Sequence, residues 1–311
     1  MTTLEIASYG SSVTMEGNLL RIGRASGTPT LFPIEDIEML VLQVPAVSAT
    51  GGALAALAER GIPVMLCNRL RRPVGWIAPA GGAEVFDPDR ARKQAALGER
   101  TRARLWRSLV RAKVEAQADL LETVAGPAAR LRRLARDADT DDSENIEATA
   151  AQLYWPALFG GDFRRRSDSP VAHALDWGYA VLRGVVCRAI VAAGLHPAIG
   201  IHHRAGSNGF NLADDLIEPF RPVVDRRVLS LARGEPKTFS FAEAKPALAE
   251  IGEWPIRVGG QTARCRAAIR LLAESFVRIV DAGQGQLVLP ERIMDHNDAE
   301  RLETDVADGL L

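Results

Sequence analysis

The chain has 311 residues, of which 47% are hydrophobic and 25% charged, and its formal net charge is −1. This is ordinary globular composition, long enough for two domains and a sizeable core. The near-neutral balance argues against a polyanion binder over the whole surface, and no run reaches the roughly 18 apolar residues that a membrane span needs.

The first residues, MTTLEIASYG, lack a basic stretch followed by an apolar one, so a soluble intracellular protein is expected. Residues 1–85 read as a small β-rich domain. SSVTMEGNLLRIG has a polar turn at Glu16-Gly17-Asn18 between two strand-like runs, and IEMLVLQV is an apolar run bounded by Asp36 and Pro45. Ser48 is the expected cap of the helix ATGGALAALAER, Gly61 stands past its end, and IPVMLC follows as a buried strand. The Pro and Gly punctuation of RRPVGWIAPAGG closes the region. Residues 86–311 read as a larger all-α domain, which makes the fold class α+β.

Within it, one long helical pattern sets Leu105, Leu109, Val110, Val114 and Ala118 on a stripe. Ser143 is the expected cap of ENIEATAAQLYWPALF, closed by Gly160-Gly161. Asp168 or Ser169 caps a helix that opens at Pro170 and ends at Gly194. Asn211 begins LADDLIEPF, which Pro219 bends or ends. GQTARCRAAIRLLAESFVRIVDAG reads as an amphipathic helix closed by Gly283, and residues 290–311 read as a tail. Trp106 and the Tyr154-Trp155 pair read as core groups.

The three cysteines, Cys67, Cys187 and Cys265, are far apart and form no CxxC pair. They read as buried reduced thiols. Charge is unevenly spread. Residues 90–136 hold thirteen Arg and Lys against four acids, Glu99, Glu115, Asp119 and Glu122. A basic segment in a neutral protein points to a confined phosphate-binding face. No GxxxxGK[ST] loop is present, so ATP hydrolysis is not expected.

The stretch with the most chemistry is GIHHRAGSNGFNLADDLIEPFRPVVD. On a helix, Asp215 and Glu218 at i,i+3 and Asp214 and Glu218 at i,i+4 share a face. Like charges on one face need a cation, either a divalent metal or Arg204, Arg221 or Arg226. If GIHH is extended, His202 and His203 point to opposite sides and at most one faces the acids. One imidazole with carboxylates suits Mn²⁺ or Mg²⁺ and suits structural zinc poorly. The spacing is equally met by a helix-start acid at Asp214, a Glu218–Arg221 pair and a core histidine at His203.

The run GLHPAIGIHHRAGSNGFNLADDLIEPFRPVVD resembles the signature of the universal CRISPR-associated integrase, the Cas-one family, with its GLxPxxGxxH turn and LxxDLxEPFRPxVD helix. EATAAQLYWPALFGGDFRRR, HALDWGYAVLRGVVCRAI, GIPVMLCNRLRRPVGWIAP and LWRSLVRAKVEAQADLL also resemble family blocks, so the likeness spans nearly the whole chain. GIHH and SNGFN are most like members from type II systems. The resemblance implies a β-rich dimerisation domain before a helical catalytic domain. Carried over by motif, Glu147, His203 and Glu218 are the metal-binding catalytic residues, with Mg²⁺ or Mn²⁺. Asp215 matches an acidic position used in some branches. His202 has no support as a ligand and reads as its neighbour's support. His173 stands where many members have Asn, and Trp177 replaces a frequent Tyr; His173 is kept as a neighbour of the site. Arg221 is expected to contact phosphate or brace Glu218.

The implied activity is a DNA integrase of CRISPR adaptation, joining 3′-hydroxyl ends of captured DNA into the array by transesterification. The rivals are a DNA endonuclease without integration and a non-catalytic DNA-binding scaffold. Expected phosphate contacts are Arg104, Arg107, Arg111 and Lys113, together with Arg164, Arg165 and Arg166. The implied partners are double-stranded DNA with 3′ ends, CRISPR repeat DNA, a second copy in a homodimer, and a small second Cas protein completing a heterohexamer. Other type II adaptation proteins are further partners in view, no membrane is, and the setting is a prokaryotic cytoplasm.

Overall fold

The computed structural model describes residues 2–24, 27–69, 73–77, 87–137, 143–232 and 239–294. In chain order the N-terminal part holds β1 (Thr2–Ile6), β2 (Ser12–Glu16), β3 (Leu19–Gly23), β4 (Thr30–Pro33), β5 (Ile37–Leu42), β6 (Ser48–Ala49), α1 (Gly51–Glu59), β7 (Val64–Cys67) and β8 (Pro73–Ile77). β2 and β3 pair antiparallel around the expected turn, and Gly17 there has φ +60°, the left-handed value such a turn requires. They lie in a sheet of order β4-β3-β2-β6. The other sheet, β1-β5-β7-β8, is parallel except at the β7–β8 pair.

Thr50, not Ser48, caps α1. Its hydroxyl accepts the Ala53 N–H at 3.3 Å, while Ser48 is still in β6 with its N–H on the Ser11 carbonyl. Ladder pairing holds Ser48 extended, and the next hydroxyl along takes the capping role. Gly61 ends α1 as expected, with its N–H on Ala58 and that of Ile62 on Leu57.

The middle of this sheet is buried on both faces. Leu40 and Val64 enter a core with Val13, Leu20, Ile22 and Leu57. Met39, Val41, Met65 and Cys67 point the other way, into the core of the helical part.

The C-terminal part runs α2 (Pro88–Ala95), α3 (Glu99–Val124), α4 (Ala129–Asp137), α5 (Ser143–Phe159), α6 (Pro170–Ala192), α7 (Asn211–Leu216), α8 (Arg221–Ala232), α9 (Phe241–Ala249), β9 (Pro255–Val258), β10 (Gln261–Arg264), α10 (Cys265–Ala282) and β11 (Arg292–Ile293). α3 and α6 are its long buried helices. The α3 stripe Leu105, Leu109, Val110, Val114 and Ala118 is buried as expected. Ser169 caps α6 by accepting the Ala172 N–H at 3.2 Å. Gly184 lets α6 lie against the sheet: a Cβ there would stand 2.4 Å from Met39 Sδ and 3.0 Å from the Trp76 ring.

The expectation of an all-α region needs correcting, because this part is mostly helical but carries the antiparallel sheet β10-β9-β11. Gly259 and Gly260, with φ +59° and +76°, turn β9 back into β10, so the expected helix from Gln261 starts only at Cys265. The start of the expected tail docks here, with Arg292 and Ile293 paired to β9. Residues 295–311 and the expected boundary near residue 85 lie outside the described residues. All three cysteines are free and buried. No described helix is long and apolar enough to cross a membrane.

Candidate active site

The expected LADDLIEPF helix is not one helix. α7 stops at Leu216, Glu218–Phe220 form a single 3-10 turn around Pro219, and α8 restarts at Arg221. Pro219 has no N–H to continue the α-helical ladder, and the tighter turn rotates Glu218 away from the α7 acids. The three acids therefore have separate partners. Arg183 of α6 takes Asp214 with two bonds of 2.7 and 2.8 Å, and Asn208 adds one of 2.6 Å.

Asp215 is fully buried and organises the loop before α7. Its Oδ2 accepts the N–H of Ile201 at 2.5 Å and of His202 at 3.0 Å, and its Oδ1 accepts the N–H of His203 at 3.1 Å. The same Oδ1 stands 2.7 Å from His203 Nδ1. Gly200 is required for this wrap, since a Cβ there would lie 2.2 Å from the His203 carbonyl and 2.8 Å from Asp215 Oδ2. Two buried side chains strap the loop from behind. Arg102 donates to the carbonyls of Gly200 and Leu97, and Gln94 donates to those of His196 and Ile199.

The GIHH segment is thus a turn and not a strand, and its two rings flank Trp106 of α3. His202 stacks on the indole at 4.2 Å and 4°, while His203 meets it edge-on at 5.7 Å. His202 serves as packing support. The hydrogen bond to Asp215 raises the His203 pKa against the opposing effect of burial.

Glu218 is buried and faces two cations. Arg221 Nε donates to Oε1 at 2.7 Å, and Lys113 Nζ to Oε2 at 2.5 Å. The Arg221 guanidinium also lies over the Tyr179 ring at 4.7 Å. Burial works to raise the Glu218 pKa, but Arg221 and Lys113 outweigh it and hold it at about 2. The same Lys113 Nζ is 2.5 Å from Oε1 of Glu147 on α5. Glu147 and Glu218, from distant parts of the chain, thus converge on one ammonium. Beneath them, Asp225 accepts from the hydroxyls of Tyr154 and Tyr179. Burial is the main cause that raises Asp225 to about 6.

The expected phosphate contacts divide. Arg104, Arg107 and Arg111 lie along one side of α3 and, with Arg136 of α4 and Gln286, Leu287 and Leu289, line an open groove of about 390 Å³. Lys113 is corrected: it is on the buried stripe of α3 and is committed to Glu147 and Glu218. Arg165 is also turned inward, over Trp155 and Tyr179 and paired with Asp176, whereas Arg164 and Arg166 are exposed. His173 sits in the first turn of α6, with Nε2 2.8 Å from Asp168.

The donor set suits a hard divalent ion. Two carboxylates already gather on a cation, and His203, held through Nδ1, would have Nε2 left to offer an ion. As they stand, no three His, Cys, Asp or Glu side chains among the described residues are grouped closely enough to hold a metal. Lys113, Arg183 and Asp225 escaped the sequence reading of the site. For Lys113 the signal was present: it falls between Leu109, Val110 and Val114 on an apolar stripe, where a charge implies a buried partner.

A family model described as CRISPR associated protein Cas1 matches residues 4–249. A CRISPR-associated endonuclease Cas1 of Neisseria meningitidis serogroup C is 34% identical over 287 residues, covering 91% of this chain and 93% of that one. One from Thermus thermophilus is 32% identical over 258 residues, covering 78% and 79%. Among solved structures, a casposase bound to integration product superposes with a TM-score of 0.78 at 19% identity, over 99% of both chains. A Cas1 protein from Thermotoga maritima gives 0.75 at 20% identity, over 92% and 98%.

Proposed function

The chain belongs to the CRISPR-associated Cas1 family, and from that premise we propose that it is a metal-dependent DNA integrase of CRISPR adaptation. It would join 3′-hydroxyl ends of captured DNA to the array by transesterification. The observation that carries this reading is the convergence of Glu147 and Glu218 on one cation. Glu147, Glu218 and His203 would hold Mg²⁺ or Mn²⁺. Such an ion supplies charge neutralisation at the phosphoryl group and a lowered pKa for a bound hydroxyl.

The chain's own residues do the rest. Asp215 fixes the His203 ring and its free nitrogen. Arg221 offsets the charge of Glu218 at Oε1, the oxygen that Lys113 does not take. Arg104, Arg107, Arg111 and Arg136 offer a basic groove to the DNA backbone, which suits an enzyme that must accept varied sequences. A homodimer and a small second Cas protein are the proposed partners, in line with family membership and with the fold shared with a Cas6-RT-Cas1–Cas2 complex at a TM-score of 0.72.

The test is a labelled DNA fragment with free 3′-hydroxyls and a supercoiled CRISPR plasmid, with the second Cas protein and Mn²⁺ or Mg²⁺. The expected result is covalently joined product, lost by about a thousandfold or more in Glu147→Ala and His203→Ala. Cleavage without joining would favour the endonuclease reading, the name its curated relatives carry. Unchanged joining in both variants would sink the assignment of the site.

A further inference from the structure

We propose that Lys113 is the resident cation of this site: its ammonium holds Glu147 and Glu218 together in the metal-free protein and competes with the divalent ion for them. The inference rests on reading those two carboxylates as metal ligands.

Three observations carry it. First, the ammonium takes one oxygen from each acid, at 2.5 Å in both cases, and the acids come from separate elements. Without a positive charge between them the two carboxylates would repel. Second, the side chains of Lys113 and Glu218 are only 10% and 5% exposed and that of Glu147 is 32% exposed, so water reaches the pair from the Glu147 side alone and screens the repulsion in part. Third, the two cations on Glu218 are of different kinds. Arg221 is clamped between Oε1 of Glu218 and the Tyr179 ring. Lys113 takes Oε2 of Glu218 and Oε1 of Glu147 at once, and so joins the two acids.

A lysine suits the task. Its charge sits at the end of a flexible four-carbon stem and can withdraw, unlike a planar guanidinium locked in place. Its position also calls for an explanation. An apolar side chain on the buried stripe of α3 would pack with less desolvation cost. Lys113 lies two turns along the same helix from Trp106, the indole that backs both histidines. One face of α3 thus supplies the wall for His203 and the cation for the acids.

The test is Mn²⁺ binding to the full-length protein, read by calorimetry and by the paramagnetic resonance of free Mn²⁺. Lys113→Gln removes the competitor and should tighten binding by about tenfold or more. The metal-free variant should melt at a lower temperature than wild type, and Mn²⁺ should restore the loss. Glu147→Gln should lose binding. If Lys113→Gln binds Mn²⁺ no more tightly than wild type while Glu147→Gln loses it, the competition is overturned and the metal reading stands. If neither wild type nor Lys113→Gln binds Mn²⁺, both are overturned.

A measurement on wild type keeps the proposal testable should Lys113→Gln fail to fold. With ¹⁵N-labelled lysine, the Lys113 ammonium signal should shift or be lost to water exchange as Mg²⁺ is added. An unmoved signal under conditions where calorimetry shows Mg²⁺ bound would overturn the proposal, and so would the absence of any bound Mg²⁺.

Discussion

Two acids three positions apart, Asp215 and Glu218, are held in opposite ways. Asp215 is fixed by backbone: the N–H groups of Ile201, His202 and His203 all donate to it. Glu218 is fixed by side-chain cations, Lys113 and Arg221. Backbone donors cannot leave without unmaking the loop, whereas an ammonium can be exchanged for another cation. The comparison separates the part of the site that sets shape from the part able to change its occupant. The same contrast explains why one histidine is positioned and the other is packing.

The largest expected effect comes from breaking the shape-setting half. Asp215→Ala leaves three backbone N–H groups without their acceptor and should cost about 3–5 kcal/mol in urea denaturation. Divalent ions should not restore it, since the loss lies in the loop and not in a charge balance. Recovery with Mn²⁺ would erase the distinction drawn between the two acids.

A third carboxylate sharpens it through pH. Asp225 is held by phenols, and its folded pKa of about 6 is above the unfolded 3.8. The folded state therefore binds its proton more tightly, and the associated stability is present below pH 3.8 and lost as pH rises through 6. Glu218, held at about 2 against 4.5 unfolded, has the opposite sign: its contribution is present above pH 4.5 and is lost as pH falls through 2. Relative to wild type, Asp225→Asn should remove a fall of about 3 kcal/mol across that first window. Parallel stability–pH curves for the two proteins would show that Asp225 is not a buried, phenol-held acid.

The smallest effect on stability, and one read mainly in binding, belongs to the basic side of α3, where Arg111 is exposed and Arg104 and Arg107 are half-buried. Changing Arg104, Arg107 and Arg111 together to Ala should leave melting nearly unchanged and lower the salt slope of DNA binding by about 3. An unaltered slope would move the DNA contact elsewhere.

Much of this was legible in the sequence. The hairpin at Gly17-Asn18, the stop at Gly61 and the Ser169-Pro170 start all follow from local backbone chemistry, so short stretches suffice to find them. The family motifs named Glu147, His203 and Glu218, and the structure brings two of these, Glu147 and Glu218, onto one ammonium. Of the charge pairs, the i,i+3 contact of Arg221 with Glu218 was legible, and the long-range ones were not. Spacing placed Asp214, Asp215 and Glu218 on one helical face, but a single proline turn redistributed them to Arg183, to a backbone loop and to Lys113. Lys113 itself was counted with the basic surface, because a sum of charges along a segment does not register which side of the helix each one occupies. The Gly259-Gly260 hairpin was missed for a related reason: Gln261–Arg264 carry helix-compatible residues, and only pairing with β9 makes them a strand.

The central sheet of the N-terminal part has a further consequence. Because Met39 and Val41 belong to the helical core while Leu40 belongs to the other, β5 is a party wall between the two. Cutting the chain after β8 would leave Met39, Val41, Met65 and Cys67 facing water. The β-rich part is therefore not a detachable module that can be traded between relatives as a unit. Its exchange would have to carry along the surface of α6 that Gly184 keeps flat enough to receive Met39 and Trp76.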